Sequence, residues 1–139
     1  MPSKPEASVF HFAHVMIRVS DLDRSIAFYQ NVLGMTVRRR ADYPEGRYTL
    51  VFLSYGPGQA EIELTHNWGN HTYTSGSAFG HLAIAVDSVE RATQLFQSRG
   101  ANVLRPAGPR MEAPDEIIAF IEDPDQYRIE LVQIAAEAR

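Results

Sequence analysis

Four residues have the types and spacing of a metal site: His14, Glu63, His81 and Glu130. Imidazole nitrogens and carboxylate oxygens are the donors a divalent cation takes where no thiolate is offered, and the chain contains no cysteine. His14 lies 49 residues before Glu63, and His81 lies 49 residues before Glu130. Taken singly, each is an ordinary polar strand residue, since His or Glu on a solvated sheet face needs no function. Two polar types recurring in register, each glutamate set between isoleucine and leucine, point instead to one site built twice. The other histidines, His11, His66 and His71, have no counterpart in the other half and read as surface residues.

That spacing belongs to an internal repeat with an offset of 67 residues, which fixes the architecture before any local assignment. His14-Val-Met-Ile-Arg-Val19 recurs as His81-Leu-Ala-Ile-Ala-Val86, and Ile62-Glu63-Leu64 recurs as Ile129-Glu130-Leu131. Each half opens with a mostly apolar strand, Val15 to Val19 or Leu82 to Val86. A helix follows. In the first half Ser20 or Asp21 is the N-cap, Leu22, Ile26, Tyr29 and Leu33 fall at helical spacing, and Gly34 is the left-handed stop. The second helix starts near Asp87 or Ser88 and stops at Gly100. Strand-like pieces come next: Thr36 to Arg39, Tyr48 to Ser54 and Glu61 to Thr65, then Asn102 to Arg105, Ile117 to Ile121 and Arg128 to Val132. Tyr55-Gly-Pro-Gly58 and Asp123-Pro-Asp125 are chain reversals.

The expected fold is α+β, two βαβββ repeats spanning 11–67 and 80–134, joined by a polar linker at 68–79 and flanked by flexible tails at 1–10 and 135–139. One helix covers one face of each sheet. The uncovered faces must close on something, either within one chain or on a second copy, so the repeat accommodates a homodimer. Strand alternation turns Glu63 and Glu130 away from their flanking Ile and Leu, onto the uncovered face. Paired modules would then form a curved mixed sheet with a concave metal site.

Composition narrows the partners. The formal charge is -4 and no long basic run exists to displace counterions from nucleic acid. No window supplies the roughly 18 uninterrupted apolar residues of a membrane-spanning helix, and Met1 to Phe10 lack the apolar stretch of a secretory signal. With no cysteine to oxidise, a cytoplasmic address is expected.

Motifs extend almost end to end. They include His14-Val-Met-Ile-Arg-Val-Ser-Asp-Leu-Asp-Arg-Ser-Ile-Ala-Phe-Tyr29, Val32-Leu-Gly-Met35 and Tyr48-Thr-Leu-Val-Phe-Leu-Ser-Tyr-Gly-Pro57. Ile62-Glu-Leu-Thr-His-Asn-Trp-Gly69, Gly80-His-Leu-Ala-Ile-Ala-Val86, Ala107-Gly-Pro109, Ala119-Phe-Ile-Glu-Asp-Pro-Asp125 and Tyr127-Arg-Ile-Glu-Leu131 complete the set. In these the chain resembles glyoxalase I, the lactoylglutathione lyase of the vicinal-oxygen-chelate superfamily, in its short bacterial form. The resemblance implies one divalent metal held by His14 and Glu63 of one subunit and His81 and Glu130 of the other. It favours nickel or cobalt, with zinc the alternative. Arg18 and Asn67 match the positions that hold the γ-glutamyl end of glutathione, a role a guanidinium and an amide can fill.

Two positions depart from the family pattern. Gln126 stands where the Asp-Pro-Asp turn usually carries Gly, so the turn changes geometry or Gln126 takes a left-handed conformation. Arg110-Met-Glu-Ala-Pro-Asp-Glu116 replaces a basic, Gly-rich loop that covers the glycyl carboxylate of glutathione in relatives. Its three acidic residues oppose a carboxylate, and Arg105 and Arg110 are the cations available to offset them.

The implied reaction isomerises the hemithioacetal of methylglyoxal and glutathione to S-lactoylglutathione through an enediolate, whose charge a divalent cation stabilises. By resemblance Glu130 is the base and Glu63 its symmetric counterpart. The alternatives are another enzyme of the superfamily (an epimerase, an iron-dependent dioxygenase or a thiol transferase) or a metal-free drug-binding resistance protein. A dioxygenase needs only two histidines and one carboxylate, and a binder needs neither His-Glu pair intact.

Overall fold

The computed structural model describes residues 9–133. The first half contains strands β1 (His14–Arg18), β2 (Thr36–Tyr43), β3 (Tyr48–Ser54) and β4 (Glu61–Asn67), with helix α1 (Leu22–Ala27) after β1. The second contains β5 (Leu82–Val86), helix α2 (Val89–Ser98), β6 (Asn102–Pro109), β7 (Ile117–Glu122) and β8 (Arg128–Gln133). The expected tails fall outside the described residues apart from Val9 and Phe10, both exposed.

Both helices start where their caps dictate. Asp21 accepts a hydrogen bond from the Arg24 amide through Oδ1 at 3.1 Å, and Ser88 Oγ accepts from the Arg91 amide at 3.2 Å. α1 is shorter than the expected helix because it widens into a π-helical turn over Phe28–Val32, with the Leu33 amide bonded to the Phe28 carbonyl. Tyr29 lies in that turn, fully buried, and its hydroxyl donates to Asp123 Oδ2 at 2.7 Å. Gly34 and Gly100 end the two helical segments with φ of 82° and 104°, a conformation that only glycine adopts without strain. β2 and β6 run four residues beyond the expected strands, since their antiparallel ladders with β3 and β7 continue to the hairpin ends.

Each half is a four-stranded mixed sheet, ordered β1-β4-β3-β2 and β5-β8-β7-β6. The terminal strands of each half pair in parallel, and the other neighbours are antiparallel. The two sheets share no ladder among the described residues, so within one chain they stand as separate sheets. What joins the halves is a single hydrophobic core to which both contribute, including Val19, Tyr29, Leu53 and Leu64 from the first and Val89, Ile121, Ile129 and Leu131 from the second. Burying each large apolar side chain contributes about 1.5–3 kcal/mol, so the shared core is the main tie between modules.

A polar latch adds direction. The turn Asp123-Pro124-Asp125 docks on the start of α1, where Asp125 accepts hydrogen bonds from the Ser20 amide and hydroxyl and Pro124 offers its carbonyl to Arg24. Tyr127 reaches the carbonyl of Arg18 at 2.8 Å. Within this turn Gln126 takes φ 70°, the left-handed conformation that the missing glycine would have adopted freely.

Candidate metal centre

The parallel register of β1 and β4 sets His14 beside Glu61 and Met16 beside Glu63, leaving His14 and Glu63 on one face. His14 Nε2 lies 2.8 Å from Glu63 Oε1. The second half repeats this: β5 and β8 place Ala83 beside Glu130, and His81, one residue before β5, brings Nε2 to 3.3 Å from Glu130 Oε1. Both carboxylates are buried, at 9% and 8% exposure, whereas the imidazoles are half open. A buried carboxylate needs a partner to offset its lost hydration. The half-open imidazole is that partner here and leaves one side of each pair accessible.

A phenylalanine backs each imidazole. Phe52 meets the His14 ring edge-on at 5.5 Å between centroids, and Phe120 meets His81 likewise at 5.4 Å. Both stand directly across the ladder from the glutamates, Phe52 opposite Glu63 and Phe120 opposite Glu130. Each site is therefore braced by an aromatic ring as well as by its own strand. Reading the sequence alone gave neither phenylalanine a role; the shared signal is an aromatic residue at matching places in the two third strands.

Within one chain the two pairs do not meet. No group of three or more His, Asp or Glu side chains converges among the described residues, so within one chain the four expected donors form two separate His-Glu contacts. Each half supplies one nitrogen and one oxygen, and two halves brought face to face would supply the N₂O₂ set that suits nickel, cobalt or zinc.

The remaining expected site residues divide. Arg18 ends β1 and is exposed, paired in register with Thr65, whose hydroxyl lies 3.5 Å from Glu63 Oε2. Asn67 ends β4 and donates to the Tyr73 hydroxyl at 3.1 Å. Arg110 pairs with Glu116 at 3.1 Å and Glu112 at 3.7 Å, which internalises two of the loop's acidic charges. Its guanidinium is held above its ordinary value chiefly by Glu116, and Glu130 adds to the same shift, so the loop lies within electrostatic reach of the second half-site. Arg105 differs from expectation. Its donors point to the carbonyls of Gly108, Pro109 and Ile118 at 2.7–3.3 Å, clamping the irregular end of β6 instead of facing a ligand. His66, expected at the surface, lies on β4 opposite Thr49 with a buried Nδ1 that has no partner, and His71 binds the Trp68 carbonyl at 2.9 Å.

The Glyoxalase/Bleomycin resistance protein/Dioxygenase superfamily profile matches residues 11–131, which takes in both His-Glu pairs and all but the last two residues of the second sheet. The chain belongs to this superfamily. Within the glyoxalase superfamily it is 50% identical over 122 residues to the lactoylglutathione lyase of Neisseria meningitidis serogroup B, covering 86% of this chain and 88% of that protein. The Salmonella typhimurium lactoylglutathione lyase is 51% identical, covering 86% of this chain and 90% of the relative. Among solved structures, glyoxalase I of Zea mays superimposes with a TM-score of 0.85 at 40% identity over 89% of this chain, which spans 44% of the maize chain. The trypanothione-dependent glyoxalase I of Leishmania major gives 0.78 at 41% identity, covering 89% of this chain and 86% of that one.

Proposed function

We propose that the chain is a metal-dependent lactoylglutathione lyase acting as a homodimer, each active site built from His14 and Glu63 of one subunit and His81 and Glu130 of the other. The observation that carries this reading is the pair of matching His-Glu contacts, 2.8 and 3.3 Å, each only half of a ligand set. Kinship with lactoylglutathione lyases supports the chemistry. The exposed apolar side chains Phe10, Phe12 and Met111 supply surface that a second copy would cover.

The substrate is the hemithioacetal of methylglyoxal and glutathione. A divalent metal, nickel or cobalt in preference to zinc, would supply Lewis-acid stabilisation to the two adjacent oxygens of that adduct. Glu130 takes the proton from the carbon bearing sulfur and returns it to the neighbouring carbon, a transfer that needs the carboxylate within hydrogen-bond reach. Its carboxylate is buried, in contact with His81 and across the ladder from Phe120, which fixes its position. Glu63 is its counterpart in the other half, and both it and His14 serve as ligands. Arg18 and Asn67, at the ends of β1 and β4, receive the γ-glutamyl end of the thiol. Arg110 offsets the acidic loop beside the second half-site. A cytoplasmic address belongs to the same proposal and rests on the cysteine-free composition, which suits a reducing compartment. No helix among the described residues is long and apolar enough to cross a membrane.

The test is thioester formation from methylglyoxal and glutathione by protein stripped of metal and reloaded separately with Ni²⁺, Co²⁺ and Zn²⁺. Activity restored most strongly by nickel or cobalt is expected. No thioester with any of the three would refute the proposal.

A further inference from the structure

The row of side chains that carries the first half-site does not end at Phe52. β2 holds a bulge between Val37 and Arg39: Val37 pairs with Leu53, Arg38 is left over, and Arg39 stands opposite Phe52. Without that extra residue Arg38 would occupy the position and Arg39 would turn to the helix-covered face. The bulge therefore brings a guanidinium into line with Phe52 and Glu63, on the face of the sheet that His14 shares. The Arg39 guanidinium lies over the Phe52 ring, 4.0 Å from its centroid, so its position is defined by a cation–π contact.

The second half makes the same bulge. Val103 pairs with Ile121, Leu104 is left over, and Arg105 stands opposite Phe120. Here the guanidinium is consumed by backbone carbonyls. Among the described residues the Arg39 guanidinium makes no ion pair or hydrogen bond, and the residue is exposed, whereas Arg40 and Arg47 meet Asp42 and the Trp68 ring. One half of the repeat uses its arginine to brace the strand. The other holds it over an aromatic ring with its fork of donors unspent, on the open face and one strand away from a buried carboxylate and its imidazole. A guanidinium so held is suited to receive a carboxylate.

We infer that Arg39 is a substrate-binding residue whose guanidinium receives a carboxylate of the bound thiol–aldehyde adduct. This rests on the lyase reading above, and two sources of the carboxylate share the chemistry: the thiol, through its glycyl or γ-glutamyl end, and the aldehyde, if it carries one.

The experiment compares wild type, Arg39→Met and Arg39→Lys on three adducts: methylglyoxal with glutathione, methylglyoxal with the glycyl ethyl ester of glutathione, and 4,5-dioxopentanoate with glutathione. Losing a charge-assisted pair should raise the KM of Arg39→Met about 10- to 100-fold with little change in kcat, and Arg39→Lys should recover part of it. A defect that vanishes with the ester assigns the glycyl carboxylate, and one that persists with it assigns the γ-glutamyl carboxylate. A defect confined to the dioxopentanoate adduct assigns the aldehyde end. Equal KM in wild type and Arg39→Met on all three adducts overturns the inference. So does a loss confined to kcat, which is what a residue merely steadying Phe52 against His14 would produce. Binding of S-methylglutathione is measured calorimetrically in parallel. An inactive wild type would count against the lyase reading, and equal affinity of the two proteins for this ligand would then count on its own against Arg39 holding either carboxylate of the thiol.

Discussion

Glu130→Gln exchanges a proton-accepting oxygen for an amide of the same size. If Glu130 is the base, kcat should fall by about 10²- to 10⁴-fold while dimer mass stays the same. Metal content measured by mass spectrometry separates a lost base from a lost ligand, and full activity in the variant would assign proton transfer elsewhere. At this scale the sequence was readable where the repeat is exact. His14 and His81, like Glu63 and Glu130, are 67 residues apart, and the structure puts each histidine in contact with the glutamate of its own half. The phenylalanines behind them are 68 residues apart and the arginines beyond those 66, because bulges and loops of unequal length intervene. Three consecutive arginines, Arg38 to Arg40, look alike in a string of letters. Only the bulge distinguishes the one that faces the site.

Among the elements, the turn at Asp123 carries a buried carboxyl that gives it a pH dependence. Burial raises the Asp123 carboxyl to about 6, against partial relief from the Tyr29 hydroxyl and the amides of Tyr127 and Asp125. The folded chain thus holds this proton more tightly than the unfolded chain does. The group favours folding fully below its unfolded value near 3.8 and loses that contribution as pH rises through about 6. The whole effect is at most about 3 kcal/mol. Denaturant titrations of wild type and Asp123→Asn should therefore diverge between pH 4 and 6, with wild type losing ground to the variant as pH rises. Parallel curves would mean that the carboxyl titrates normally. The Asp-Pro-Asp reversal was evident from composition, and each N-cap was narrowed to two adjacent residues, of which the structure uses Asp21 and Ser88. The π-helical turn was not, because Phe28 to Val32 contains no helix breaker and the widening answers to tertiary contacts of Tyr29.

At the scale of the whole molecule, two half-sites in one chain make a prediction about mixtures. A chain with His14→Ala and Glu63→Gln has a dead first half, and a chain with His81→Ala and Glu130→Gln has a dead second half. Each should be inactive alone. Refolded together in equal amounts, half of the dimers are mixed, and each mixed dimer carries one intact site in two, so about a quarter of wild-type activity should return. Persistent inactivity of the mixture would locate the site within a single chain. The repeat announced that two uncovered sheet faces need partners, yet it left open whether those partners lie in the same chain. Hydrophobic pattern marks which face is buried without saying whose surface covers it.

The order in which a ribosome releases this chain gives the split ladders a further meaning. Every strand of the first sheet has its hydrogen-bonding neighbour by the time Asn67 has been made, and His14 already has Glu63 to pair with. The apolar face behind that sheet has to wait, because the core it joins draws on Val89, Ile121, Ile129 and Leu131. Backbone pairing in the first module can be completed early in synthesis, and burial of its apolar side chains only late.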